Sequence, residues 1–256
     1  MRVFVLTLLA LLVGLAAPAR AQESFDPTIS ERFDQAVGAY RAGDFQTAET
    51  LWRSLLNENL ARADRGKVLY NLGNAAYRQD ELMESIGWYT SAVRTAPRDR
   101  EAWANLEFVR LEAELEPADR GDLAATTQRL LESVDEREAS WLILWALGAW
   151  LLVLVLEAVR GGSLWRRLSL LGVPIVLLAC APLAWRLTHP EVDPVLVVER
   201  PSAPLRAEPK DERSPIGQVT AGDVVERIDR LGEWARIELE DGVRGWVPAD
   251  AIFDLR

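Results

Sequence analysis

Residues 141–185 decide the architecture of this chain of 256 residues: WLILWALGAWLLVLVL (Trp141–Leu156), then RGGSLWRR (Arg160–Arg167), then LSLLGVPIVLLACAPLAW (Leu168–Trp185). Each of the two outer runs lacks charged residues, and an apolar stretch of about 20 residues is long enough to cross the hydrocarbon core of a bilayer. We therefore predict two transmembrane helices, at 139–159 and 168–187. The alternative is a buried hairpin in a soluble protein.

The connection at 160–167 predicts the orientation of the hairpin. It contains Arg160, Arg166 and Arg167, and short loops rich in arginine stay in the cytoplasm. Both flanking segments are then expected on the far side of the membrane. Tryptophans near the ends of the runs favour the headgroup layer; they are Trp141, Trp145, Trp165 and Trp185.

The first 21 residues have the pattern of a signal peptide. Arg2 precedes an apolar stretch, and Ala19-Arg20-Ala21 places small residues where signal peptidase recognises them. We predict a cleaved signal peptide at 1–21, with an uncleaved anchor as the alternative. An export signal predicts the same orientation as the arginine-rich loop.

Residues 28–116 show helical spacing of apolar residues. Leu82, Ile86, Tyr89 and Val93 recur at steps of three or four, and Pro97 is expected to end that helix. Gly73 and Ala92 are small enough for two antiparallel helices to approach closely. The large side chain of Tyr89 is then expected to pack between neighbouring helix pairs.

The residues of this region resemble a tetratricopeptide (TPR) repeat. The resemblance rests on LYNLGNAAY (Leu69–Tyr77) followed by Leu82, Ser85, Tyr89, Ala92 and Pro97. A related set lies 37 residues upstream, at Ala36, Gly43, Asp44, Phe45, Ala48, Trp52 and Leu55. Trp103 and Leu106 begin a terminal capping helix. The resemblance implies a short solenoid whose concave face binds a peptide or a helix.

The concave face has six candidate binding residues. They are Lys67, Tyr70, Asn74, Tyr77 and Arg78 from one helix, with Asn105 from the next. Asn74 and Asn105 match the positions at which peptide-clamping TPR domains hold backbone or carboxylate groups. Tyr70 stands where those clamps have a cation, which argues against a C-terminal carboxylate as the ligand. The alternative is that these polar groups solvate the groove or cap helices.

We predict that residues 117–138 form a charged juxtamembrane linker. A short amphipathic helix on the membrane surface is the alternative, because Leu130, Leu131 and Val134 share one helical face.

After His189-Pro190 the spacing of the apolar residues is no longer helical and becomes that of short β-strands. Turn signals separate the strands at Ala221-Gly222-Asp223, Leu231-Gly232-Glu233 and Asp241-Gly242. Several strands within about 60 residues predict a small all-β barrel.

The strand region resembles a bacterial SH3 domain over 195–256. GEWARI (Gly232–Ile237) and DGVRGWV (Asp241–Val247) carry the resemblance. It implies binding of cell-wall peptides or of proteins, with Trp234 and Trp246 either as a ligand shelf or as aromatic core residues.

Composition excludes several kinds of chemistry. One histidine and one cysteine are too few for a zinc site or a disulfide framework, and 39 acidic against 29 basic residues argue against a nucleic-acid partner. The chain has no phosphate-binding Gly-rich loop with its lysine. We expect no enzymatic activity, no cofactor and no metal.

The order of segments is similar to that of the TPR proteins of Bat aerotolerance operons (BatE-type), and NLEFVR (Asn105–Arg110) is similar to those proteins too. The fold class is therefore a multidomain membrane protein with an all-α TPR solenoid, two transmembrane helices and a small all-β SH3-like barrel. The resemblance implies membrane protein partners, namely von Willebrand A-domain proteins and a MoxR-type ATPase across the bilayer, in envelope stress tolerance. The alternative is a sensor of peptidoglycan peptides.

Overall fold

The computed structural model describes residues 27–118, 126–127, 130–131, 133–188, 193–210, 214–239 and 241–255. Within these ranges the chain forms two compact units. One contains 27–118 together with 193–255, and the other contains the apolar hairpin up to residue 188. The predicted signal peptide at 1–21 and part of the predicted linker at 117–138 lie outside the described residues.

The N-terminal region is helical, as predicted. Its helices are α1 (Pro27–Arg41), α2 (Phe45–Leu55), α3 (Arg62–Arg78), α4 (Leu82–Thr95) and α5 (Arg100–Glu112). Each helix packs against the next one along the chain. Because the connections are short, consecutive helices run in opposite directions.

Local sequence signals set the helix boundaries. Asp44 caps α2 by accepting a hydrogen bond from the Thr47 amide at 3.1 Å. The preceding Gly43 has φ of 83°, and Asp80, which stands 37 residues later before α4, has φ of 69°. Helix α4 ends at Thr95, two residues before Pro97, as the sequence predicts. The turns before α2 and α4 are therefore built alike.

Residues at the same 37-residue spacing fill the helical core. Trp52 on α2 and Tyr89 on α4 are both buried, as are Ala48 and Ser85. The Ser85 hydroxyl donates to the Gly73 carbonyl at 2.9 Å, which ties α4 to α3. Two helix pairs therefore use equivalent positions for equivalent packing.

The apolar hairpin consists of α6 (Glu136–Arg160) and α7 (Ser163–Thr188). Both helices are long enough to span a membrane, with mean hydropathies of 2.4 and 2.1, and most of their residues face outward. Gly161 and Gly162 join them with φ of 62° and 103°. The predicted loop at 160–167 is mostly helical, because α7 already begins at Ser163.

The C-terminal region is a small β domain. Its strands are β1 (Asp193–Val197), β2 (Ser202–Leu205), β3 (Gly217–Thr220), β4 (Val224–Leu231), β5 (Trp234–Glu238), β6 (Arg244–Pro248) and β7 (Ile252–Asp254). Five strands form an antiparallel sheet in the order β6-β5-β4-β1-β7, and β2 pairs with β3. A bridge from Arg206 to Trp246 links the two sheets.

Aliphatic side chains fill the core of the β domain. Strand alternation buries Ala235, Ile237 and Val247, while Trp234 and Trp246 on the opposite face stay partly exposed. Neither tryptophan belongs to the core cluster. Their interpretation as aromatic core residues is therefore wrong.

Candidate functional site

The strongest candidate site lies between α3 and α5. Tyr70, Asn74 and Tyr77 occur on α3 at spacings of four and three, so they share one face of that helix. Asn105 and Phe108 form the matching face of α5. The two faces meet, and we call the surface formed by these five residues the α3–α5 groove.

Two asparagines and two tyrosines form a hydrogen-bonded cluster in this groove. The Tyr89 hydroxyl donates to Oδ1 of Asn74 at 2.6 Å. Nδ2 of Asn105 lies 3.2 Å from the Tyr70 hydroxyl and 3.3 Å from both Oδ1 of Asn74 and the Tyr89 hydroxyl. Three of the predicted site residues are thus brought together, and Tyr89 joins them.

The position of Tyr89 is fixed by packing. A Cβ atom at Gly73 would lie 2.7 Å from the Tyr89 ring, so glycine is required there. Burial raises the pKa of the Tyr89 hydroxyl well above its usual range. The hydroxyl therefore stays protonated and acts as the donor to Asn74.

Tyr77 and Phe108 form the apolar part of the groove. Their ring centroids are 5.8 Å apart in an edge-to-face arrangement, and Phe108 is 55% exposed. A hydrogen bond with Glu112 raises the pKa of the Tyr77 hydroxyl. Phe108 was missed as a site residue in the sequence, although its position three residues after Asn105 places it on the same helical face.

The other two predicted site residues, Lys67 and Arg78, are not part of the cluster. Lys67 pairs with Asp64 at 2.9 Å, one turn along its own helix. The guanidinium of Arg78 lies 4.6 Å from the ring centroid of Phe45 on α2. Both cations are thus engaged by the protein itself, and the groove centre is uncharged.

The cluster leaves amide groups available for a ligand. Asn74 uses Oδ1 and Asn105 uses Nδ2 within the protein, and among the described residues no hydrogen bond involves Nδ2 of Asn74 or Oδ1 of Asn105. One amide therefore offers a donor and the other an acceptor, which is what an extended backbone requires. The exposed Phe108 ring lies beside them to contact an apolar side chain.

The β domain offers a second, weaker candidate. Trp234 lines a cavity of about 750 Å³ together with Arg230, Glu233 and Pro248, among others. Trp246 lies outside that cavity, and its ring is 5.9 Å from the guanidinium of Arg236. The two tryptophans predicted as a ligand shelf are therefore not brought to one cavity.

Nothing in the described ranges is arranged to hold a metal ion through three or more His, Cys, Asp or Glu side chains.

Comparison with known families identifies the β domain. Residues 201–252 match the bacterial SH3 domain family. The match covers β2 to the start of β7 and leaves β1 outside. The β domain therefore contains a bacterial SH3 domain at 201–252, within the range of 195–256 that the sequence predicts.

Proposed function

We propose that this chain is a non-enzymatic, membrane-anchored adaptor whose helical region is a TPR array that binds a segment of a partner protein. The equivalent turns at Gly43 and Asp80 support the TPR assignment, as does the equivalent burial of Trp52 and Tyr89. In both cases the spacing is 37 residues. Helix α5 closes the array as its terminal helix.

The Asn74–Asn105 pair beside exposed Phe108 is the observation that carries this proposal. Internal hydrogen bonds hold both amides in place before any ligand arrives, so little side-chain entropy is lost on binding. The absence of an unpaired cation from the cluster favours peptide backbone over a C-terminal carboxylate. The partner segment is thus extended, with at least one apolar side chain for Phe108.

The hairpin anchors the adaptor in the cytoplasmic membrane of a bacterium. Arg160, Arg166 and Arg167 surround the turn between α6 and α7, which supports a cytoplasmic turn. The helical region and the SH3 domain then lie in the periplasm, where a bacterial SH3 domain has access to the cell wall.

Resemblance to the Bat aerotolerance proteins supplies candidate partners. These are membrane-anchored von Willebrand A-domain proteins, with a MoxR-type ATPase acting on the cytoplasmic side. The adaptor would collect such membrane proteins into a complex for envelope stress tolerance. It needs no catalytic group or cofactor for this role, because the role consists of binding other proteins.

Crosslinking in cells followed by purification of the tagged full-length chain tests the groove. The double variant Asn74→Ala/Asn105→Ala should lower recovery of the A-domain membrane protein at least tenfold. Asn71→Ala is the matched control, because Asn71 is on the same helix and its amide donates to the Lys67 carbonyl. Equal recovery with both variants would contradict a groove-bound partner.

A second function is binding of peptidoglycan peptides by the SH3 domain. The family match and the cavity beside Trp234 favour it. Full-length protein in detergent should sediment with purified cell wall, and Trp234→Ala should reduce the bound fraction. Ile216→Ala is the control, because Ile216 is 55% exposed and outside the cavity. If the wild type stays in the supernatant, this function is wrong.

A further inference from the structure

The β domain covers the outer side of α4 in the helical region. The Trp88 and Phe253 rings meet edge to face with centroids 4.9 Å apart, and Trp88 is 2% exposed. A Cβ atom at Gly87 would lie 2.5 Å from the Phe253 ring. A glycine on α4 is therefore what allows β7 to approach.

Two arginines join the end of the helical region to the β domain. Arg110 on α5 is 8% exposed, and its Nη1 donates to the Gly222 carbonyl at 3.0 Å. In the opposite direction, Nη2 of Arg200 donates to the Ala113 carbonyl at 2.7 Å. Ala113 caps the C-terminus of α5, where a cation is favourable. The contact is thus reciprocal and hydrogen-bonded as well as apolar.

Apolar residues of the β domain belong to the core of the helical region. Leu196 on β1 is fully buried in that core, and Leu255 is 8% exposed. Leu115, just after α5, packs so closely on Gly222 that a Cβ atom there would lie 2.7 Å from it. The core thus continues from the helices into the β domain.

A helical array needs a cover over its last apolar face. In this chain the β domain lies against the C-terminal end of α5 and against the outer side of α4. We propose that residues 193–255 are the structural cap of the helical region, and that the two segments bind each other without help from the hairpin that joins them in sequence.

This arrangement has a consequence for the topology of the chain. Two segments that share one core lie on the same side of a membrane, so the number of spans between them is even. Two spans satisfy this condition. The cap is independent of which ligand the α3–α5 groove binds.

Cleavage of the folded full-length chain tests the cap. Specific protease sites are inserted within 119–125 and within 189–192, the protein is purified in detergent through a C-terminal tag, and both sites are cut. We expect the helical fragment to stay with the tagged SH3 fragment at equal stoichiometry. Elution of the helical fragment in the wash would overturn the proposal.

Substitutions at the contact between Gly87 and Phe253 show whether this contact is what holds the cleaved fragments together. Gly87→Leu and Phe253→Ser alter the contact from its two sides, and each should release most of the helical fragment after cleavage. Gly38→Leu, on α1, is the matched control, because a Cβ atom there meets nothing within 4 Å. Circular dichroism before cleavage shows that the helices remain. Retention of the fragment in both contact variants would overturn the proposal.

Discussion

Gly73 on α3 lies directly against the ring of Tyr89 on α4, and a Cβ atom at that glycine would be 2.7 Å from two ring carbons. This close approach joins the helix that supplies most of the groove to the helix that supplies its buried tyrosine. It also fixes the hydroxyl that donates to Asn74.

Gly73→Ala should therefore destabilise the protein. The methyl group forces Tyr89 to move, and overpacking of this kind costs about 1–3 kcal/mol, more than the gain of up to about 1 kcal/mol from the better helix propensity of alanine. Gly38→Ala should instead be neutral or stabilising, because the space around Gly38 is open. Urea unfolding in detergent, followed by circular dichroism, measures both. The same sign for both variants would contradict this packing.

Alkaline pH should weaken the helical region through Tyr89. Burial raises the pKa of Tyr89 in the folded state above its usual value of 10.0. Between that value and the raised one, the unfolded chain loses the proton and the folded chain keeps it, so stability is present below pH 10 and falls above it. The urea midpoint should drop between pH 9 and pH 11, and by less in Tyr89→Phe. An equal drop of the urea midpoint in Tyr89→Phe would mean that titratable groups other than Tyr89 cause the loss of stability.

Asn105→Ala should destabilise the α3–α5 contact. It removes the amide that donates to Tyr70, Asn74 and Tyr89, and net hydrogen-bond contributions of about 1 kcal/mol each predict a loss of about 1–2 kcal/mol for this shared donor. Asn71→Ala should change stability by less than about 0.5 kcal/mol, as expected for an outward-facing position. Hydrogen exchange at α5 amides reports the difference locally, and equal protection in the two variants would contradict the cluster.

The apolar hairpin should depend on Trp150. Its indole donates to the Ser169 carbonyl at 2.9 Å, and its ring occupies the space above Gly172. Gly172→Leu leaves no room for that ring, so the melting temperature of the hairpin in detergent should fall. Val173→Leu is the control, because Val173 is 48% exposed. Equal melting temperatures would mean that Trp150 does not hold the helices together.

Local patterns in the sequence predict much of this structure. The two long apolar helices follow from length and hydropathy alone, and the closeness of Gly73 and Tyr89 follows from helical spacing of small and large residues. The β domain follows from its turn signals and its tryptophan-containing strands. In each case neighbouring residues carry the information.

Contacts between distant segments could not be predicted in this way. Arg110 and Gly222 are 112 positions apart, and no periodicity on α5 indicates that its arginine enters another domain. Similarly, the spacing of Asn74 and Asn105 places them on facing helices, but the bonds that orient their amides involve Tyr89 on a third helix. Such arrangements depend on packing in three dimensions.

Labelling in spheroplasts tests the proposal, central to this account, that the helical region and the SH3 domain both lie outside the cytoplasm. With Cys180 replaced by serine, single cysteines are placed at Leu111 and Ile216, which are 77% and 55% exposed. A third chain carries Gly161→Cys in the turn of the hairpin. A maleimide that cannot cross the membrane should label the first two chains and should label the third only after lysis. Labelling of either of the first two chains only after lysis would contradict the account.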